Sequence, residues 1–309
     1  MKALITDSVH DVLIEDLEAA GIHCTYLPRI SQAELEALIV DFHILIINSK
    51  IIVDAAFMNK APSLKIIGRL GSGLEIIDLK YAEEKGIKVF NSPEGNRDAV
   101  GEHAIGMLLS LFNQLNQSHQ DVLEFSWDRE ARRGEELKGK KIGLIGFGNT
   151  GKAMAQKLSG FEVDCFFYDK YLENETSPFA KQVSLEFIQE QAEVISIHLP
   201  YKPETHYLFN SDFFNKCKKP FYLINTSRGK IVNTMDLLEG LKTENILGAC
   251  LDVFENEQIE HYTDREKLDF KELAITSKVL CSPHIAGWTN QSKIKLAKIL
   301  SDKIVSILQ

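Results

Sequence analysis

The sequence lacks the features that direct a chain to nucleic acid or to a membrane. Its 309 residues carry a formal net charge of -9 and contain no basic block of the kind that binds nucleic acid. No apolar run approaches the ~18 residues that a membrane span requires. The N-terminus reaches an acid at Asp7, which is too early for a signal peptide. We therefore expect a cytoplasmic protein with neither a nucleic-acid nor a membrane partner.

Cysteines are few and scattered. None of the spacings typical of a metal site occurs among them, so no metal is expected. Most lie in or beside apolar runs, which favours buried free thiols in a reducing compartment. A chain of this length favours two domains and buries roughly 75% of its unfolded surface without disulfide bonds. The five cysteines are Cys24, Cys165, Cys217, Cys250 and Cys281.

A glycine fingerprint dominates the middle of the chain. Gly146, Gly148 and Gly151 form G-x-G-x-x-G after the apolar run 142–145. A helical pattern and a second apolar run follow, and that run ends at Asp169. Such glycines allow a tight turn, close approach of a pyrophosphate and close packing of helix on strand. The acid lies about 20 residues on, where it would accept hydrogen bonds from a ribose. The pattern predicts a dinucleotide-binding unit rather than a structural turn.

Short apolar runs alternate with helical patterns along most of the chain. This alternation predicts an α/β fold of doubly wound parallel sheets covered on both faces. In the first 95 residues the strand candidates are 2–6, 23–27, 44–47, 65–68 and 87–90, and helical patterns cover 9–20, 31–39, 54–59 and 78–85. Later strand candidates are 142–145, 163–168, 194–197, 221–224, 247–251 and 279–280.

Two further helices and one polar stretch are predicted. Residues 98–117 form a single long pattern that is apolar over most of its circumference, so burial on more than one side is expected. The mostly polar stretch 121–140 is predicted to lie on the surface, with Trp127 as its largest apolar anchor. Residues 290–308 are predicted to form a last amphipathic helix.

Polar residues gather directly after several strand candidates. The loop 69–73 could form an anion-binding nest or a flexible turn, and these alternatives are equally favoured. Arg228, Asp252 and His284 each follow a later apolar run. Open α/β sheets bind ligands at the carboxyl ends of their strands, so a shared cleft is favoured over solvated surface positions.

Several motifs are spread along the chain, namely Arg69–Gly73, Asn91–Pro93, Glu102–His103, the glycine fingerprint, His198–Pro200, Asn225–Gly229, Asp252–Phe254 with Glu257, and Pro283–His284. Through these motifs the sequence resembles the D-isomer-specific 2-hydroxyacid dehydrogenase family over essentially its whole length. The resemblance implies a discontinuous flavodoxin-like substrate domain, 1–97 plus 284–309, and an inserted Rossmann NAD-binding domain, 98–283. It also implies homodimers that form largely around 98–117.

The resemblance assigns the chemistry to Arg228, Glu257 and His284. A 2-oxo acid presents a carboxylate and a carbonyl, and an arginine can bind and polarise both. After hydride transfer the new alkoxide needs a proton, which a histidine can supply near neutral pH. Glu257 would orient the ring and favour its protonated form.

The other site residues are carried by the same resemblance. NAD would contact Gly146, Gly148, Asn149, Thr150, Gly151, Asp169, Leu199, Pro200, Thr226 and Asp252. The substrate would contact Arg69, Ser72, Gly73, Asn96 and Arg97. Asp169 would disfavour the 2′-phosphate of NADP.

Two departures from the family pattern stand out. Gln258 replaces the proline that usually follows the catalytic glutamate, and Arg97 stands where a small hydroxylated residue is common.

The substrate is expected to be a small 2-hydroxy or 2-oxo acid. The sequence is most similar to short D-3-phosphoglycerate dehydrogenases, and its end just after the last helix predicts no regulatory domain. Glyoxylate or hydroxypyruvate reduction is the close alternative. A corepressor of this fold, which binds NAD(H) and partner proteins, is an alternative from another class. The complete triad favours an enzyme, and Glu257 argues against a formate dehydrogenase, which pairs its histidine with glutamine.

Overall fold

A computed structural model describes residues 1–308 and divides the chain into two units. The first unit is formed by Met1–Arg97 and Trp288–Gln309, and the second by Asp98–Gly287. The return to the first unit lies at 288 in this division, compared with 284 in the division that the resemblance implied. Among residues 1–308, no helix has both the length and the apolar character needed to cross a membrane.

The first unit contains a five-stranded parallel sheet. Its strands are β1 (Lys2–Ile5), β2 (His23–Tyr26), β3 (Ile44–Ile47), β4 (Ile66–Arg69) and β5 (Lys88–Asn91). Their order is β2-β1-β3-β4-β5, which is the flavodoxin-like order. The central strand β3 is buried along its whole length, because a parallel sheet is covered on both faces. The predicted fold class is confirmed here.

The second unit contains a seven-stranded parallel sheet. Its strands are β6 (Lys141–Ile145), β7 (Asp164–Tyr168), β8 (Lys181–Gln182), β9 (Val194–Ile197), β10 (Phe221–Asn225), β11 (Ile246–Leu251) and β12 (Val279–Cys281). Their order is β12-β11-β10-β9-β6-β7-β8, a Rossmann order extended by one strand. Six of these strands were predicted. The seventh, β8, was missed because it has only two residues, both polar, and so gives no apolar signal.

Helices connect the strands in both units. They are α1 (Asp11–Ala19), α2 (Gln32–Leu38), α3 (Ala55–Asn59), α4 (Leu79–Glu84), α5 (Arg97–Phe112), α6 (Leu115–Leu123), α7 (Asn149–Leu158), α8 (Leu185–Gln191), α9 (Ser211–Lys216), α10 (Thr234–Lys242), α11 (Asp264–Ile275) and α12 (Asn290–Ser306). Short 3₁₀ turns lie at Ile39–Asp41, Ser159–Phe161, Pro203–Thr205, Gly229–Ile231 and Ile259–His261. Helix α12 ends two residues before its predicted end, and it packs its Ala297, Leu300 and Ile304 into the core of the first unit.

The single helix predicted over 98–117 is wrong. Helix α5 ends at Phe112, and Gln114 adopts a left-handed backbone with φ +48° before α6 begins. A residue in this conformation ends a helix, because its N–H turns back towards the carbonyls of the last turn. The Gln114 N–H bonds to the Leu111 carbonyl at 3.1 Å. The apolar periodicity continues through this break, so it could not show the change of direction.

The apolar surface of this region also lies elsewhere than predicted. Most apolar residues of α5 pack inside the second unit, with Ala104, Leu108 and Phe112 in its core. The exposed apolar residues instead follow the break. Phe125 is 99% exposed and Trp127 is 80% exposed, so Trp127 anchors nothing within the unit.

Candidate active site

The glycine turn lies between β6 and α7, at the carboxyl end of the sheet in the second unit. Gly146 has φ +95°, and a side chain there would meet the His198 carbonyl oxygen at 2.4 Å. A Cβ on Gly151 would meet the Gly146 carbonyl oxygen at 2.4 Å, whereas one on Gly148 would meet nothing within 4 Å. The first and third glycines are therefore required by the protein itself. The space beside Gly148 is open, as it must be if a pyrophosphate approaches the backbone there.

Asn149 and Thr150 form the first residues of α7, directly after Gly148. Their N–H groups belong to the first turn of a helix, where N–H groups lack partners within the helix. A helix N-terminus also carries a partial positive charge. The turn thus has the polarity that binds the phosphate groups of a dinucleotide.

Asp169 stands at the end of β7 and is held by backbone hydrogen bonds. Its carboxylate accepts from the Phe147 N–H at 2.8 Å and from the Tyr171 N–H at 2.9 Å. The first bond ties the acid to the glycine turn, so the carboxylate has a fixed position beside that turn. The neighbouring Lys170 bonds to Glu204 at 3.1 Å, and Tyr171 bonds to the same carboxylate.

Two buried polar atoms lack partners at the same end of the sheet. Within residues 1–308, the Thr226 Oγ1 and His198 Nδ1 atoms are buried and have no hydrogen-bond partner. They follow the neighbouring strands β10 and β9. Buried polar atoms are nearly always satisfied, so such atoms point to a polar ligand that the protein binds. This observation fits a nicotinamide dinucleotide, with the glycine turn as its phosphate site.

His198 belongs to one of the motifs of the resemblance, but the predicted cofactor contacts in that motif are only its neighbours Leu199 and Pro200. Burial lowers the pKa of His198 to about 4, so the ring is neutral. Its Nε2 atom lies 3.0 Å from Ser196 Oγ and 3.2 Å from Met154 Sδ. A histidine directly after an apolar strand was the available signal. Leu199 lies against the glycine turn, and Pro200 is exposed.

Asp252 is the anchor of the loop that carries His284. Its carboxylate is fully buried and accepts from the Ile285 N–H at 2.8 Å and the Ala286 N–H at 2.9 Å. It also accepts from Ser282 Oγ at 2.6 Å. This role was not predicted, because the bonds join residues about 30 positions apart. The predicted contact of Asp252 with the cofactor remains a prediction.

The same network extends to His103 of α5 and to the backbone of His284. The Nε2 atom of His103 lies 2.9 Å from Ser282 Oγ. The His284 N–H bonds to the Asp252 carbonyl at 2.8 Å, and His284 has φ +55°. A left-handed backbone at a residue other than glycine is strained and persists only where its surroundings impose it. The buried carboxylate and its bonds supply that constraint.

The structure brings Glu257 and His284 together. Glu257 Oε2 lies 2.7 Å from His284 Nδ1, and the two side chains are 41% and 44% exposed. Burial acts to raise the pKa of the Glu257 carboxyl, but the hydrogen bond from His284 and the charges of His284 and Arg228 lower it below its ordinary value. The carboxylate is therefore ionised at neutral pH. It fixes the ring through Nδ1, and Nε2 is the nitrogen that this bond does not use.

Arg228 follows β10 and contributes its charge to the same place. Its charge adds to the effect of His284 in lowering the pKa of Glu257. Its Nη1 also donates to the Ser227 carbonyl at 2.7 Å. The next residue is Gly229, where a Cβ would lie 1.9 Å from the Phe254 carbonyl carbon. Glycine at this position lets the loop that carries Glu257 pass directly against the chain after Arg228.

The predicted substrate contacts lie in the first unit. Ser72 Oγ donates to Asn96 Oδ1 at 3.2 Å, and the Ser72 carbonyl accepts from Asn91 Nδ2 at 2.7 Å. The loop with Ser72 and Gly73 follows β4, and the loop with Asn96 follows β5, so the structure brings these two loops together.

The two arginines of this group differ in their surroundings. Arg69 donates from Nε to the Asn48 carbonyl at 3.1 Å, and its Nη1 lies 2.8 Å from the place of a Cβ on Gly71. Arg97 is exposed at the start of α5. Its charge acts on Glu94, where burial raises the carboxyl pKa but the Lys303 hydrogen bonds and both positive charges lower it overall. The positive charge of Arg97 therefore already interacts with the neighbouring Glu94 carboxylate.

Metal-binding residues do not cluster in the described part of the chain. Among residues 1–308 no group of three or more His, Cys, Asp or Glu side chains is arranged to hold a metal ion.

Known proteins are similar to this chain over both units. The family model described as D-isomer specific 2-hydroxyacid dehydrogenase, NAD binding domain, matches residues 105–286. The D-3-phosphoglycerate dehydrogenase of Archaeoglobus fulgidus is 30% identical over 309 residues, which cover 99% of this chain and 57% of that protein. The glyoxylate reductase of Thermofilum pendens is 34% identical over 264 residues, which cover 83% of this chain and 76% of that protein.

Solved structures show the same fold. The D-lactate dehydrogenase from Aquifex aeolicus, complexed with NAD and lactic acid, superposes with a TM-score of 0.85 at 26% identity. It covers 100% of this chain and 95% of that one. The chain spans little more than half the length of the phosphoglycerate dehydrogenases that it matches.

Proposed function

This chain belongs to the D-isomer specific 2-hydroxyacid dehydrogenase family, and from that premise we propose that it transfers a hydride between NAD and a small D-2-hydroxy acid or 2-oxo acid. The observation that carries the proposal is the Glu257–His284 hydrogen bond of 2.7 Å beside the Arg228 charge. This is an acid–base pair next to a cation, within the NAD-binding domain.

Each member of the triad has one task in this reaction. Arg228 binds the substrate carboxylate and polarises the carbonyl through its fork of donors. When bound, NAD(H) supplies or accepts the hydride. His284 donates a proton from Nε2 to the developing alkoxide in reduction and accepts the hydroxyl proton in oxidation. Glu257 holds the ring through Nδ1 and stabilises its positive charge.

For the substrate we propose D-3-phosphoglycerate, oxidised to 3-phosphohydroxypyruvate, which would place the protein in serine biosynthesis. The similarity to phosphoglycerate dehydrogenases along nearly the whole chain supports this choice. Arg69 and Arg97 stand beside the loops of Ser72, Gly73 and Asn96, where they can attract an anionic tail. Glyoxylate or hydroxypyruvate reduction is the second candidate, because the glyoxylate reductase relative is 34% identical.

A panel of 2-hydroxy and 2-oxo acids, followed by nicotinamide absorbance, tests both proposals. Arg97→Met and Arg69→Met should raise KM for 3-phosphoglycerate more than for hydroxypyruvate. Lys88→Met is the matched control, because Lys88 is exposed at the opposite, amino end of β5. Equal effects on both substrates would remove the phosphate proposal and leave the simpler hydroxyacid one. No turnover with any acid of the panel would favour the corepressor-like alternative.

We expect NAD to be preferred over NADP. The fixed Asp169 carboxylate places a negative charge where the 2′-phosphate would lie, and the adjacent Lys170 is already paired with Glu204. Asp169→Asn removes the charge but keeps an acceptor oxygen for the Phe147 N–H, and Asp169→Ala removes both. Both variants should narrow the ratio of kcat/KM values for the two cofactors. Parent enzyme that uses NADP as efficiently as NAD would contradict this assignment.

We further propose a homodimer that involves α6 and the segment after it. The support is the exposed apolar side chains of Leu115, Val122, Leu123, Phe125 and Trp127, because monomers rarely expose such patches. Sedimentation of the parent at micromolar concentration should show twice the chain mass of 34.9 kDa. Phe125→Asp with Trp127→Ser should shift the protein to the monomer mass. A parent that sediments as a monomer would contradict the proposal.

A further inference from the structure

We propose that Asn256 is a positioning residue for Glu257, acting through a hydrogen-bonded clamp formed with Gln258, Tyr262 and Glu266. The inference rests on the proposed function, because Glu257 matters only as the partner of His284. It concerns a residue next to the triad that need not touch substrate or cofactor.

Every polar group that Asn256 offers beyond its N–H is engaged. Its Oδ1 accepts from the Gln258 N–H at 3.0 Å, and its Nδ2 donates to Glu266 Oε1 at 2.8 Å. Its main-chain carbonyl accepts from Tyr262 Oη at 2.6 Å. The bond to Gln258 closes a local turn around Glu257, and the other two bonds fix that turn to the next part of the chain. Glu257 therefore lies between two residues whose backbone positions are set.

The far side of the clamp is the start of α11. Glu266 Oε2 accepts from both the N–H and the Oγ1 of Thr263, each at 2.7 Å, in a capping box. Hydrogen bonds from Asn256 and from Thr263 lower the pKa of Glu266 to about 2, so the carboxylate stays ionised. Tyr262 is buried, with its ring beside that of Phe270. The clamp thus ends on a capped helix rather than on solvated side chains.

Glu257 needs such support because its own side chain is half-exposed and long. The loop before it is held separately, since Glu255 accepts from the Thr234 N–H at 2.7 Å and from the Tyr207 hydroxyl. Asn256 restrains the backbone after Glu257, because its side chain accepts the hydrogen bond from the Gln258 N–H. The Gln258 N–H takes part in that restraint, and a proline at 258 could not donate this bond. In this chain a hydrogen-bonded turn restrains the backbone after Glu257, as a rigid residue at that position could.

An exchange of donor and acceptor tests the clamp. Asn256→Asp keeps an acceptor for the Gln258 N–H but places a second carboxylate against Glu266. We expect this variant to lose about 10-fold in kcat, because a charge-assisted bond is replaced by a repulsion. Asn256→Asp combined with Glu266→Gln restores a donor and an acceptor in the opposite sense. A glutamine can still complete the capping box, so this double variant should recover most of the lost kcat.

Three measurements distinguish a loss of Glu257 positioning from a general destabilisation of the fold. The KM for NAD and the thermal midpoint of Asn256→Asp should change much less than kcat. The variant's pH–rate profile should shift to lower pH, as expected when the Glu257 carboxylate supports the protonated ring less well. Asp264→Asn removes a charge from the same turn of α11 at a fully exposed side chain, so this matched control should behave as the parent. Unchanged kcat in Asn256→Asp, or no recovery in the double variant, would overturn the proposal.

A readout that needs no turnover keeps this test separate from the proposed function. A ring proton shared between His284 Nδ1 and Glu257 should give a downfield proton resonance, assigned by its loss in His284→Ala. Asn256→Asp should weaken or move this resonance, and the double variant should restore it. If the parent is inactive with every acid while the resonance responds as stated, the clamp stands and the proposed reaction fails. A resonance that ignores Asn256→Asp overturns the clamp whatever the activity.

Discussion

Replacing His284 with alanine should lower turnover by on the order of 100- to 10,000-fold and leave NAD affinity nearly unchanged. In the proposed reaction the ring donates the proton in reduction and accepts it in oxidation, so its removal should affect the transition state more than cofactor binding. His23→Ala is the matched control, because His23 is exposed at the amino end of β2 in the other unit. Normal turnover in His284→Ala would show that the assigned acid–base residue is wrong.

The pH dependence should distinguish the two directions of the reaction. In the proposed reaction, reduction requires a protonated ring and should slow as pH rises, whereas oxidation requires a neutral ring and should accelerate. The pKa of Glu257 is lowered, so its carboxylate is present above that pKa and is lost only as pH falls through it. Because the pKa lies below the ordinary value of a glutamate, Glu257 remains ionised across the neutral range.

Glu257→Gln should therefore move both limbs of the profile to lower pH. The variant keeps a side chain of the same shape but lacks the negative charge that favours the protonated ring. Parent and variant should be compared in both directions, with NAD affinity measured separately. Limbs that stay in place would show that the 2.7 Å contact does not control the charge of His284.

Local patterns were sufficient to predict the glycine turn and the sheets. The turn, Asp169 and the strand β6 lie within about 30 residues, and each follows a rule of short range, such as a positive φ at Gly146 or an apolar run before a turn. The confirmed fold class depends on the alternation of strands and helices, which survives errors of one or two residues in each element.

What the sequence could not reveal depends on distant contacts. The break at Gln114 is a single left-handed residue inside an unbroken apolar pattern. The anchoring role of Asp252 requires Ser282, Ile285 and Ala286 to fold back on it. Trp127 was given an anchoring role because large apolar residues are usually buried, and the described unit provides no surface that covers it.

The triad itself was named from a resemblance and not from geometry. Glu257 and His284 are 27 positions apart, and nothing in their spacing predicts a contact of 2.7 Å. The structure adds what the resemblance omits, namely the strained backbone of His284, the buried carboxylate behind it and the clamp after Glu257.

Alanine at Gly148 should separate cofactor binding from folding. A Cβ there meets no protein atom within 4 Å, and the backbone has φ -80°, so the chain accommodates it without strain. Loss of the glycine N-cap should cost at most about 1 kcal/mol of unfolding free energy. The methyl group would, however, occupy the space that a pyrophosphate needs. Loss of one or two charge-assisted hydrogen bonds should weaken NAD binding by about 10- to 100-fold.

Alanine variants at two further glycines serve as controls for Gly148→Ala. Alanine at Gly151 would place its Cβ 2.4 Å from the Gly146 carbonyl oxygen, so it should destabilise the fold by about 1–3 kcal/mol as well as weaken binding. Alanine at Gly160 meets nothing within 4 Å and lies after α7, outside the turn, so it should change neither property. Calorimetric titration with NAD and thermal unfolding of the three variants measure both quantities. If Gly148→Ala binds NAD as the parent does, the pyrophosphate does not approach the backbone at this glycine.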